Sequence, residues 1–160
     1  MYRLRISKLL LGMVLALAAF GARTPAAELP QGTKDALANS KYAYIATTRK
    51  DGHLGKPAEI WFLYHNGAVY VASPPPTWRA RRIKAGRTQA KIAVGKPDGP
   101  SFMATGAIVN EPDVHPVMFG TYAKKYADDW PKFEEKFRTG LKDGGRLLIK
   151  YTPAKTSDEK

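Results

Sequence analysis

The strongly patterned part of the chain runs from Tyr42 to Tyr151, as short apolar stretches separated by turn residues. Tyr42 to Thr48 is aromatic and β-branched and ends in Arg49-Lys50-Asp51-Gly52, where Asp-Gly supplies a turn, so it reads as a strand and its loop. Pro57 to Tyr64 reads as a second strand. Ala68 to Ser73 is its hairpin partner across Asn66-Gly67, a pair that tolerates positive φ. Pro74-Pro75-Pro76 has no backbone N–H to give a sheet and must leave it. Thr77 then stands where it can cap a short helix over Trp78 to Ala85, which Gly86 ends. Gln89 to Val94 and Ser101 to Val109 form a further strand pair, separated by Gly95, Pro97, Gly99 and Pro100.

Beyond Val109 the period changes. Asp113 to Ala127 and Pro131 to Thr139 carry apolar and aromatic residues at helical spacing, with Asp128-Asp129 suited to capping the second helix. Arg146 to Tyr151 closes the pattern as a strand. Six short strands with helices clustered late predict a mainly β fold, a closed or nearly closed six-stranded antiparallel barrel with helical covers. The expected organisation is residues 1–27 as a signal peptide, 28–40 as a polar leader with a short helix at Lys34 to Leu37, 41–153 as the barrel domain, and 154–160 as a frayed tail.

The signal-peptide reading rests on Arg3, Arg5 and Lys8, then an uncharged run from Leu9 to Phe20, then the small-residue-rich stretch Gly21 to Ala27. That run is shorter than the roughly 20 apolar residues a spanning helix needs, which favours a cleaved leader over an uncleaved anchor. The expected location is therefore outside the cytoplasm, in a periplasm, with no stable membrane span after cleavage. No paired arginine marks export of a folded chain, so any cofactor would be acquired after export. Removing residues 1–27 takes the formal charge from +12 to +8, and the remainder is still basic. Without cysteine there is no disulfide, no thiolate nucleophile and no cysteine-ligated metal centre, so packing alone holds the domain.

The stretch richest in chemistry is Val69 to Ile83, where a strand ends in Ser73, a proline loop follows, and a helix opens with Arg79, Arg81 and Arg82. The Ser73 and Thr77 hydroxyls, the backbone N–H groups of the helix start and the guanidinium forks together suit a phosphate. Arg79 and Arg82 share one helix face; the plainer alternative is a solvated basic face beside an anchoring Trp78.

The order of these parts resembles the flavin-binding split barrels of the pyridoxamine-phosphate-oxidase-like superfamily. Pro57-Ala-Glu-Ile-Trp61-Phe62 is similar to that superfamily's second strand, and Thr77-Trp78-Arg79-Ala-Arg81-Arg82-Ile83 to its Ser/Thr-x-Lys/Arg-x-Arg-x-Leu cofactor-phosphate segment. The match runs from about Tyr42 to Val94, with Ser101 to Val109 and Arg146 to Pro153 as the later strands and Asp113 to Thr139 as a variable helical insert. True pyridoxamine-phosphate oxidases place an arginine and a lysine on the second strand, and Ala58 to Tyr64 has neither. The pattern sits nearer the deazaflavin-dependent reductases, which commonly have Asn-Leu where this chain has Arg82-Ile83.

The resemblance implies FMN as cofactor, with the deazaflavin coenzyme or haem as alternatives. Glu59, Ile60 and Trp61 would run along the ring, and Ser73, Thr77, Trp78, Arg79 and Arg82 would hold the phosphate end. It further implies hydride transfer to a small planar substrate or electron acceptor, no side-chain nucleophile, and a homodimer. The alternative of another class is a non-catalytic exported protein that carries flavin or haem. Nucleic acid is not an expected partner, because the aromatics are not interleaved with the basic residues of 79–87.

The remaining candidates read as structural. His53, His65 and His115 lack the i, i+4 spacing of a helical metal pair, and only His115, beside Pro116, is kept as a haem-ligand candidate. Tyr122, Tyr126, Trp130, Phe133 and Phe137 form either a packing stripe or a wall over a planar ligand. Asp128, Asp129, Glu134 and Glu135 are a helix-start acid cluster.

Overall fold

A computed structural model describes residues 27–155; the signal-peptide expectation (1–27) and the tail expectation (154–160) lie outside the described residues except at Ala27, Ala154 and Lys155, of which Ala27 donates its N–H to the Pro153 carbonyl and Ala154 to the Met103 carbonyl. Seven strands form one curled antiparallel sheet: β1 (Ala43–Thr47), β2 (Ala58–Ile60), β3 (Leu63–His65), β4 (Ala68–Ser73), β5 (Gln89–Val94), β6 (Ser101–Ile108) and β7 (Leu147–Pro153). Their order is β2-β1-β5-β6-β7-β4-β3. Four helices accompany them: α1 (Gln31–Asn39), α2 (Trp78–Lys84), α3 (Val114–Lys125) and α4 (Trp130–Asp143).

The seventh strand arises because the run expected as one strand, Pro57 to Tyr64, divides. β2 pairs with β1 and β3 pairs with β4, so the two pieces lie at opposite margins of the sheet. Trp61 and Phe62 carry the chain across the gap, and their backbone groups find partners in α3 and just beyond it. The Phe62 N–H donates to Tyr126 Oη at 3.0 Å, and the Tyr122 hydroxyl donates to the Trp61 carbonyl at 3.1 Å. The β3–β4 hairpin turns where expected, on Asn66 (φ 49°) and Gly67 (φ 73°).

β4 is buried at all six positions because both its faces are covered. Val69 and Val71 point into the barrel with Ile45, Ile92, Ile149 and Tyr151, while Tyr70 and Ala72 face the outer layer made by α3 and α4. That layer is where the helical aromatics go. Tyr122, Tyr126, Trp130 and Phe137 are buried in it, so the stripe is a packing stripe, with Phe133 left 40% exposed. The segment read as a polar leader contributes α1, longer than expected, and buries Leu29 and Leu37 in the barrel core. Two expected caps are not made by side chains. Thr77 Oγ1 donates to the Pro74 carbonyl at 2.9 Å, and the Asp129 carboxylate pairs with the Lys132 side chain at 3.1 Å instead of accepting from the backbone N–H groups of α4.

Candidate functional site

α2 lies across one end of the barrel. Its own Ala80 is fully buried, and Gly106 of β6 supplies the close approach, since a Cβ there would stand 3.0 Å from Ile83 Cδ1 and 2.7 Å from the Tyr151 ring. With the helix so fixed, its arginines point to two different strands. Arg79 Nη1 donates to Ser73 Oγ at 3.0 Å, at the buried end of β4. Arg82 Nη1 donates to both the carbonyl and the hydroxyl of Thr47 at 2.8 Å, at the end of β1.

A third arginine joins from a distant part of the sequence. Arg146 precedes β7, donates from Nη1 to the Ala72 carbonyl at 3.3 Å, and lies 3.9 Å from the centroid of the Phe137 ring. Its Nε is buried and has no hydrogen-bond partner among the described residues. Arg79 and Arg146 both line a cleft of about 300 Å³, together with Tyr42, Glu59, Ile60 and Trp61. Trp61 stacks on Tyr126, with centroids 4.2 Å apart and planes 5° from parallel, and Phe133 meets it edge-on at 5.7 Å. The tryptophan is thus fixed as a rigid aromatic wall.

Loss of hydration pulls the Arg79 and Arg146 guanidiniums below their ordinary pKa values. Among the described residues no carboxylate pairs with either of them. Glu59, at the rim of the same cleft, accepts a hydrogen bond from the Tyr44 hydroxyl. Two desolvated cations that are not ion-paired, in a cleft whose Glu59 is held by Tyr44, are suited to an anion. A second cleft of about 730 Å³ adjoins the first at Pro74 and Arg146 and runs along Lys132, Phe133 and Lys136 of α4.

Of the residues that the resemblance implied, Glu59, Ile60, Trp61 and Arg79 line the first cleft, and Ser73 stands behind Arg79. Arg82 is occupied by Thr47, Thr77 by the proline loop, and Trp78 is 69% exposed with Arg81 and Arg82 against its ring. Arg146 and Tyr42 are additions that sequence reasoning did not supply. The available hint for Arg146 was a basic residue opening an apolar strand directly after Gly144-Gly145. None of the three histidines lines either cleft, and the described residues hold no group of three His, Cys, Asp or Glu placed for a metal.

No protein-family model and no curated protein matches the sequence. Solved structures do match. HutZ, the heme storage protein from Vibrio cholerae, superposes with a TM-score of 0.57 at 13% identity, over 81% of this chain and 93% of that one. A putative pyridoxamine 5'-phosphate oxidase from Listeria innocua gives 0.57 at 12%, over 80% and 95%. An F420 reductase gives 0.52 at 20%, over 79% and 97%. The fold is the pyridoxamine-phosphate-oxidase-like split barrel.

At these identities the likeness is one of fold. In the split barrel described here, α2 and the start of β7 bring Arg79 and Arg146 to the chain crossing at Trp61. The helical segment between β6 and β7 supplies the aromatic backing of that crossing.

Proposed function

We propose that this split barrel is an exported oxidoreductase that binds a phosphorylated flavin, FMN in the first instance or the deazaflavin coenzyme, and passes hydride from a soluble reduced donor to a small planar acceptor, oxidising the one and reducing the other. The observation that supports the reading is that Arg79 and Arg146 line one cleft, neither ion-paired with a carboxylate among the described residues, with Glu59 of the same cleft engaged by Tyr44 and Arg146 Nε buried without a partner among those residues. A phosphate fits that donor set in charge and in hydrogen-bonding capacity. Ser73 orients Arg79, and the Phe137 ring with the Ala72 carbonyl orients Arg146. Trp61 and Tyr42 give an aromatic border that excludes water from one side of the cleft. A bound flavin supplies the hydride chemistry from its ring, so the chain needs no nucleophile of its own. The cleft lies at the small end of the ligand-site range of about 300–1,000 Å³, and the adjoining α4 cleft offers room for an acceptor. In the same reading the protein works as a homodimer.

A non-catalytic carrier of flavin or haem is the second reading, supported by the shared fold with HutZ. Haem carboxylates would suit the same arginines, but no histidine lines the cleft to serve as an axial ligand.

The test is the visible spectrum of the purified protein before and after incubation with FMN, the deazaflavin coenzyme and haemin. A stoichiometric flavin or deazaflavin band is expected. Since a hydrogen bond to a charged group is worth about 1.5–3 kcal/mol, Arg79→Ala or Arg146→Ala should each weaken binding by roughly 10- to 100-fold. Reduction of the bound cofactor and its reoxidation by a quinone separate the enzyme from the carrier. A colourless protein that gives no heat with either flavin overturns the proposal.

A further inference from the structure

The same end of the barrel has an outward side that the cofactor cleft does not use. From Ile60 to Lys91 the sequence contains no Asp or Glu but has Arg79, Arg81, Arg82, Lys84, Arg87 and Lys91. The neighbouring 48–57 loop adds Arg49, Lys50 and Lys56, and its one acid, Asp51, is paired with Arg49 at 2.8 Å. Loop and helix meet. A Cβ on Gly55 would stand 2.6 Å from Arg82 Nη1, and the Gly55 N–H and Arg82 Nη1 both donate to the Thr47 carbonyl.

Two large apolar side chains are exposed on this basic end, Trp78 at 69% and Leu54 at 39%. They are tied together through the Gly55–Arg82 contact, because the Trp78 ring lies 5.7 Å from the Arg82 guanidinium. Arg81 is 5.6 Å from the same ring. An exposed indole and a leucine tip beside Arg81, Lys84 and Lys56, which make no ion pair among the described residues, have the composition of a membrane-surface anchor: the aromatic ring suits the headgroup level and the cations suit lipid phosphates. A single-stranded nucleic acid would need a succession of aromatic faces along a groove, which one tryptophan and one leucine do not provide.

We infer that the end formed by α2 and the 48–57 loop docks peripherally on an anionic lipid bilayer, with Trp78 and Leu54 entering the headgroup region and Arg81, Lys84 and Lys56 facing lipid phosphates. The inference is independent of the cofactor reading, since none of these five residues lines the arginine cleft. It places the cleft beside the membrane surface, within reach of lipid-soluble acceptors.

The test uses the full chain with phosphatidylglycerol and phosphatidylcholine vesicles carrying brominated acyl chains. The N-terminal apolar run gives the chain another route to a vesicle, so the readout is the emission of Trp78 alone, taken as the difference between the parent chain and Trp78→Phe. That emission should shift to the blue and be quenched on phosphatidylglycerol vesicles, weakly on phosphatidylcholine, and less as salt is raised. With roughly fivefold in partitioning per basic residue, Arg81→Gln with Lys84→Gln should raise the lipid concentration for half-quenching about 25-fold. Leu54→Ser should raise it as well. Trp78 emission that is unchanged on phosphatidylglycerol, or equal on both lipids, overturns the inference. So does a shift produced by an oligonucleotide and not by the vesicles, which would assign the surface to nucleic acid.

Discussion

Gly140 gives Arg146 its path beneath α4. A Cβ on the glycine would stand 2.9 Å from the arginine Cγ and 3.3 Å from its Cδ, and the Arg146 N–H donates to the Gly140 carbonyl at 2.7 Å. Replacing Gly140 by alanine gains up to about 1 kcal/mol of helix propensity but forces the arginine off Phe137 and the Ala72 carbonyl. With overpacking at about 1–3 kcal/mol, a net loss of about 1 kcal/mol is expected in urea unfolding. Flavin affinity should fall at least as far as it does in Arg146→Ala; unchanged affinity would show that the path does not matter.

Arg79 is a desolvated cation held by one neutral hydroxyl, an arrangement that favours ligand binding over stability of the free protein. The double substitution Arg79→Met with Ser73→Ala removes the buried charge and its partner together. The unliganded protein should become more stable, by about 1 kcal/mol, while losing the ability to bind FMN. Thermal unfolding with and without FMN reads both effects, and a less stable double variant would argue against an incomplete electrostatic site.

The Tyr126 hydroxyl accepts from the Phe62 N–H at 3.0 Å and donates to the Lys41 carbonyl at 2.8 Å. Tyr126→Phe leaves both backbone groups without that partner, at about 1–3 kcal/mol for an unsatisfied buried group. Amide exchange at Phe62 should accelerate more than exchange in β5, since the damage is local to the chain crossing. Equal acceleration across the sheet would mean that the hydroxyl supports the fold as a whole.

Lys125 sits 3.5 Å from the centroid of the Phe62 ring, and burial brings its ammonium down to about 8. An unfolded lysine titrates near about 10.4, so from pH about 8 upward the unfolded chain holds more protons and stability rises with pH. Burial pushes the Tyr126 and Tyr151 hydroxyls up, Tyr151 to about 12. Above the unfolded tyrosine value of about 10 the folded chain holds more protons, and stability falls. Unfolding free energy should therefore peak near pH about 10, and Lys125→Met should remove the rise while keeping the fall. A flat profile between pH 8 and 10 in the parent chain would contradict this account.

The local parts of the structure were legible where one residue type decides the backbone. Asn66-Gly67 accepts positive φ, Pro74-Pro75-Pro76 cannot remain in a sheet, and Gly86 at φ 77° stops α2. The division of the second strand was not legible, because the partners of its broken backbone are Tyr122 and Tyr126, more than sixty residues away, and nothing in Trp61-Phe62 announces them. Half of the candidate site followed from the strand–loop–helix order around Ser73 and Arg79. Arg146 did not, since its role depends on a missing side chain at Gly140 and a carbonyl on β4.

The division of that strand has a consequence for the chain in a crowded solution. The two margins of the sheet, β2 and β3, are only three residues long each, and they run into one another through Trp61 and Phe62. A foreign strand therefore finds little unpaired backbone to add to, and the barrel is protected from edge-to-edge polymerisation without a proline or lysine guard along a long margin. The protection resides in the grip of Tyr122 and Tyr126 on the crossing. Conditions that detach α3 while leaving the barrel formed would expose longer pairing edges, and fibril formation should begin from that state.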